Sequence, residues 1–139
     1  MDITVEDARR RLREARVARL ATVASSGRPH IVPVTFAVAR EHIYSAVDAK
    51  PKRTGDLQRL RNIRANPMVA VLADHYDDDW AALWWVRADG SAVIVTDPGE
   101  LAGPIALLAR RYPQYRQARP SGPVISVRVE RWTGWAASG

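Results

Sequence analysis

The chain has 139 residues, a length that fits one domain with a buried core, and with 47% hydrophobic and 26% charged residues it has the composition of a globular rather than a disordered protein. It contains no cysteine, which excludes thiol catalysis, disulfides and cysteine-ligated metal centres, so redox chemistry would have to be carried by a bound group. The formal charge of +6 suits a polyanionic partner without choosing among nucleic acid, a membrane surface and a phosphorylated cofactor, and an Arg- and Ala-rich composition accounts for part of it.

Thr4 stands three residues before Asp7, and Val5, Ala8, Leu12 and Ala15 recur at helical spacing, so residues 4–16 read as a capped amphipathic helix. From Val17 short β-branched runs, split by Ser25-Ser26-Gly27-Arg28 and by Ala39-Arg40-Glu41, predict three antiparallel strands. Residues 50–66 open with a basic turn and continue with Leu57, Leu60 and Ile63 as a helix that Asn66-Pro67 ends. Met68–Ala73 is of strand length, and Asp74–Asp79 is an acidic connection. Trp80–Val86 and Ser91–Thr96 read as a hairpin about Arg87-Ala88-Asp89-Gly90, because Asp-Gly suits positive φ angles. Asp97 caps and Pro98 opens a further helix striped by Leu101, Ile105, Leu108 and Ala109, which ends near Tyr112-Pro113. After a loop from Arg116 to Pro123, Val124–Glu130 alternates as a last strand. Six or seven strands joined mainly by short turns, with three helices, describe a mainly β protein, an antiparallel β-barrel with flanking helices.

No stretch approaches the roughly 18 apolar residues of a membrane span, and the N-terminus lacks a signal-peptide core, so a cytoplasmic location without a membrane partner is expected. Aromatic residues are not interleaved with Lys and Arg along one strand as a nucleic-acid stacking platform requires, so no nucleic-acid partner is expected. His30, His42 and His75 fall in different elements without metal-site spacing. They read as surface residues, and only His30 begins a strand of functional interest. There is no Ser-His-Asp order, nucleophile elbow or P-loop.

Five segments carry a resemblance: ARLATVASSGRPHIVPVTF, the turn DAKPKRT before a helix ending NIRANPMVAVL, WAALWWVRADGSA, ARRYPQY, and GPVISVRVERWTGW. In order and spacing the chain resembles the pyridoxamine 5′-phosphate oxidase-like family of FMN-binding split barrels, and within it the small actinobacterial coenzyme F420-dependent oxidoreductases. The resemblance implies a homodimer of single split-barrel domains, residues 1–139 in each, with a flavin or deazaflavin at the dimer interface and its phosphate at the basic turn. It implies hydride transfer between F420H2 and a small electron-poor organic substrate, chemistry that asks the protein for binding and orientation rather than for a catalytic side chain.

Lys50, Lys52 and Arg53 lie within four positions on a turn opening a helix, where an anion is favoured, and Thr54 adds a hydroxyl and a potential cap. A solvated basic loop is the alternative; the resemblance selects the phosphate site. It also places the ring along Val32, Pro33, Val34 and Thr35, with Ser45, Ala46 and Val47 on the next strand as neighbours and Trp80 near the ring or the dimer partner. Barrel core is the plain alternative for Val32 and Val34. Trp84 and Trp85 point to opposite faces, with Trp80 on the side of Trp84. Arg87, Arg110, Arg111 and Arg116 are candidates for the deazaflavin's glutamate tail or an acidic substrate, with a solvated helix face as the plain reading of Arg110 and Arg111. The chain ends RWTGWAASG, without the arginine-rich segment of true pyridoxamine phosphate oxidases, so F420 is the first expectation for the cofactor and FMN the second. A non-catalytic flavin, deazaflavin or haem carrier is the alternative function.

Overall fold

The computed structural model of the chain describes residues 1–47 and 57–138. Helix α1 (Val5–Glu14) starts where Thr4 Oγ1 accepts a hydrogen bond from Asp7 N at 3.0 Å, and it buries Ala8 and Leu12. Strands β1 (Ala18–Val23) and β2 (Pro29–Val34) form the first hairpin, and β3 (Ala37–Ala39) and β4 (His42–Ala46) the second. They are followed by α2 (Gln58–Ala65), β5 (Met68–His75), a 3-10 turn (Trp80–Ala82), β6 (Trp84–Val95), α3 (Pro98–Arg111), α4 (Pro113–Gln117) and β7 (Val124–Ala136).

The strands form one antiparallel sheet in the order β2-β1-β5-β6-β7-β4-β3. The sheet curls. Its inner face, with Leu20, Val71, Val86, Ile43 and Val127, closes on Phe36, on Leu12 of α1 and on Leu60 and Ile63 of α2. A second core lies on the outer face, where Leu101, Ile105 and Leu108 of α3 cover Ala37, Ala46 and Val124. The cap at Asp97, whose side chain accepts from Glu100 N, and the stripe Leu101, Ile105, Leu108 and Ala109 are those the sequence predicts. β4 pairs with β7 only as far as Arg128, and the N-terminal residues cover the far end of β7, with Ile3 N donating to Gly134 O and Ala136 N to Met1 O.

Three expectations are corrected. The expected second strand is two, β2 and β3, because the chain leaves one partner strand and joins another at Thr35–Phe36. The expected hairpin about Arg87-Ala88-Asp89-Gly90 is a continuous strand, and Asp89-Gly90 makes a bulge against β7. Asp-Gly serves a bulge as readily as a turn, and here close approach decides: a Cβ on Gly90 would overlap the Arg128 carbonyl oxygen and lie 2.9 Å from its carbon. Trp80 is not in the strand, because Asp79 caps a 3-10 turn by accepting from Ala81 N. The short helix α4 was not anticipated.

Gly90→Ala should destabilise the protein by about 2–3 kcal/mol, since backbone rather than a flexible side chain occupies the space. Gly103→Ala, in the interior of α3 with nothing within 4 Å beyond its chain neighbours and its own helix, should change stability by less than about 1 kcal/mol, because the gain in helix propensity is offset by crowding of the new Cβ against the Pro104 ring. Urea unfolding of both variants checks the contrast.

Candidate functional site

Among the described residues β2 is an edge strand with β1 as its one sheet neighbour. Pro29, Ile31 and Pro33 face outward, while His30, Val32 and Val34 face the interior, where the two valines pack on the main core. Pro33 lies opposite Arg19 and brings no N–H to the edge. Thr35 is exposed and its hydroxyl lies 2.8 Å from that of Tyr115.

Ser45 and Ala46 lie in β4 and Val47 directly follows it; β4 pairs with β7 and β3, and β1, β5, β6 and β7 stand between it and β2 in the sheet. All three residues are buried, Val47 in the main core with Val32 and Val34, and Ala46 beneath α3. The core thus brings Val32, Val34 and Val47 together, whereas Ala46 faces the opposite side. Lys50, Lys52, Arg53 and Thr54 lie outside the described residues. Leu57 occupies the N-cap of α2, and it offers no side-chain hydrogen bond to the helix.

At the head of α2 the structure shows polar groups that sequence reasoning did not single out. Arg59 is half-buried, its Nε is buried without a hydrogen-bond partner, and desolvation lowers its pKa. A guanidinium remains a cation under such conditions, so a partly desolvated charge with no partner among the described residues stands two residues into the helix. Beside it Gln58 Nε2 donates to Asn62 Oδ1 at 2.6 Å, and Asn62 Nδ2 donates to Thr22 Oγ1 at 2.9 Å. Asn62 and Thr22 are both 1% exposed, and Thr22 sits opposite His30, whose Nδ1 is buried and unpartnered. The available signal was Asn62 itself, a polar residue between Leu60 and Ile63 on a face that otherwise reads as apolar.

Trp80 is 68% exposed, its indole N–H donating to Tyr76 at 3.4 Å. Trp84 packs on the main core, and Trp85 lies on the outer side under the Arg87 guanidinium, which is also paired with Asp89. An open cleft of about 460 Å³ is walled by His75, Tyr76, Trp84, Trp85 and Trp135. Arg111 and Arg116, candidates for an acidic ligand, are engaged by backbone carbonyls: Arg111 by those of Arg13 and Ala15, Arg116 by those of Ala109 and Arg110. Their positions at the ends of α1 and α3 suit helix C-termini.

The family model for pyridoxamine 5′-phosphate oxidase matches residues 4–136, nearly the whole chain. The chain belongs to the pyridoxamine 5′-phosphate oxidase family. The curled antiparallel sheet with its flanking helices is this family's split barrel. No curated protein matches the sequence. Among solved structures, the oxidase-family fold is shared with a conserved hypothetical protein from Mycobacterium tuberculosis (TM-score 0.76, 24% identity, covering 97% of this chain and 86% of that one). It is shared too with a FAD-binding protein from Mesorhizobium loti (TM-score 0.73, 21% identity, 96% and 95% covered). A third is HutZ, the heme storage protein from Vibrio cholerae (TM-score 0.71, 19% identity, 95% and 91% covered). At these identities the likeness is one of fold.

Thr22→Val should cost about 1–3 kcal/mol, because it leaves the buried Asn62 amide without its acceptor. In a double-mutant cycle, adding Asn62→Leu should recover part of that loss, since both polar partners are then gone.

Proposed function

We propose that this family member binds a phosphate-bearing deazaflavin, coenzyme F420, with FMN as the second candidate, and transfers a hydride between F420H2 and a small electron-poor organic substrate. The observation that carries the anion-binding part is Arg59: a half-buried cation without a partner among the described residues, at the head of the helix that follows Lys50, Lys52 and Arg53. Such a charge is costly unless an anion meets it, and a phosphate matches a guanidinium in charge and geometry. The open edge of β2, with outward Ile31 and Pro33, supplies an apolar, flat border of the kind a ring system needs. The FAD-binding and heme storage neighbours support the capacity of this fold for flat cofactors.

When bound, the reduced deazaflavin supplies the hydride. Arg59 with Lys50, Lys52 and Arg53 neutralises the phosphate and Thr54 adds a hydroxyl; Val32, Pro33, Val34 and Thr35 border the ring. Ser45 and Val47 line the same side of the barrel, and Ala46, on the far face, supports β4 against α3. Exposed Trp80 shapes the substrate pocket. No side chain is assigned a catalytic role and no metal is required.

The protein acts as a homodimer. Ile31, Met68, Leu72 and Val93 lie on the same outer face of the sheet, 65%, 66%, 37% and 61% exposed, large apolar side chains on β2, β5 and β6, interspersed with Arg19, Arg87 and Asp89, that a second copy would cover. Light scattering at micromolar concentration should give a dimer mass, and Met68→Glu should shift it toward monomer; a wild-type monomer would contradict the assembly.

The absorption spectrum of the purified protein, followed by titration with F420, FMN and haemin, tests the cofactor. F420 should bind most tightly, and Arg59→Ala should weaken binding of F420 and FMN about 10- to 100-fold, as expected for one charged hydrogen bond. A Soret band with haemin alone bound would favour the carrier reading. Equal F420 affinity in Arg59→Ala and wild type would place the phosphate elsewhere.

A further inference from the structure

At Thr35–Phe36 the chain changes partners, from Val34 opposite Ala18 of β1 to Ala37 opposite Tyr44 of β4. Phe36 is fully buried and has no strand neighbour among the described residues, so its N–H and C=O need partners from elsewhere. One side chain supplies both. The Tyr112 hydroxyl accepts from Phe36 N at 3.0 Å and donates to Phe36 O at 3.1 Å. Tyr112 is the residue between α3 and α4, and Tyr115 packs edge-on against it at 5.5 Å. The Arg111 guanidinium lies 4.4 Å over the Phe36 ring and 5.5 Å over that of Tyr112, and it donates to the carbonyls of Arg13 and Ala15. The ends of α1 and α3 are therefore tied to one residue of the barrel corner.

We infer that Tyr112 is a positioning residue for the ring-binding strand: its hydroxyl stands in for the missing sheet neighbour and sets where β2 ends, and with it the backbone of Pro33–Thr35. The inference rests on the reading of β2 as the border of a flavin or deazaflavin ring. The Thr35–Tyr115 contact is exposed and lies beside the corner without holding its backbone, so it makes a control. Loss of the Tyr112 hydroxyl frees both Phe36 groups to seek water and loosens the end of β2, while the Arg59 region stays intact at the head of α2.

The experiment compares wild type, Tyr112→Phe, Tyr115→Phe and Arg59→Ala in titrations with riboflavin and with FMN, alongside amide exchange at Phe36. Tyr112→Phe should accelerate Phe36 exchange and weaken riboflavin and FMN by the same factor, about tenfold or more, as expected for loss of a buried hydrogen-bonding group. Arg59→Ala should weaken FMN only, and Tyr115→Phe should resemble the wild type. Faster exchange with unchanged affinity for both ligands, or an equal loss in Tyr115→Phe, would overturn the positioning role. Should Tyr112→Phe fail to fold, Arg111→Gln, which removes the guanidinium over Phe36, should show the same paired loss in milder form, and its absence would likewise overturn the inference. If wild type binds none of F420, FMN and riboflavin, the cofactor reading fails, and the inference with it, whatever the variants do.

Discussion

The long ladder between β6 and β7 holds the other strands, and it can continue through its bulge from Trp84 to Val95 only because Gly90 lets the Arg128 backbone come close. The bulge there turns the pair, so that the first half of β6 meets β5 while the second half of β7 meets the N-terminal residues and its first half meets β4. A flat sheet would leave Phe36, Leu12 and Leu60 without a common interior. The curled one encloses them, leaving an outer face that α3 covers at one end and that exposes Ile31, Met68, Leu72 and Val93 among charged neighbours at the other.

Closure has a cost at the corner between β2 and β3, where a buried residue loses its sheet partners. The hydroxyl of Tyr112, 76 positions away, offsets that cost. Several arginines have comparable local duties. Arg111 and Arg116 hold helix ends, Arg11 and Arg87 lie over Trp84 and Trp85 and pair with Asp7 and Asp89, and Arg9 lies over Trp132. Part of the +6 charge is thus absorbed by the fold, which sharpens the contrast with Arg59, whose cation is desolvated and unpaired among the described residues.

Local signals were legible in the sequence where the chemistry is local. The caps at Thr4 and Asp97, the stripe of α3 and the end of α2 at Asn66-Pro67 follow from side chains within one turn of the feature. Long-range decisions were not. Whether Asp89-Gly90 turns or bulges depends on Arg128, and whether β2 runs on into β3 depends on Tyr112. The inward placement of Val32 and Val34 was open because strand alternation gives two faces without saying which is the core. Of the candidate site, β2 was read from its sequence, whereas Arg59 was not, because a single arginine on a helix rich in arginines gives no sign of being half-buried.

The central claim is that a phosphate-bearing ring system occupies the border of β2 with its anion at Arg59. Backbone amide shifts in a two-dimensional NMR titration with F420 and then FMN test it most directly. The largest shifts should fall on Ile31–Phe36 and on Gln58–Asn62, with those of the aromatic cleft at Trp85 and Trp135 nearly unmoved. Shifts centred on that cleft, with β2 and the head of α2 unchanged, would contradict it.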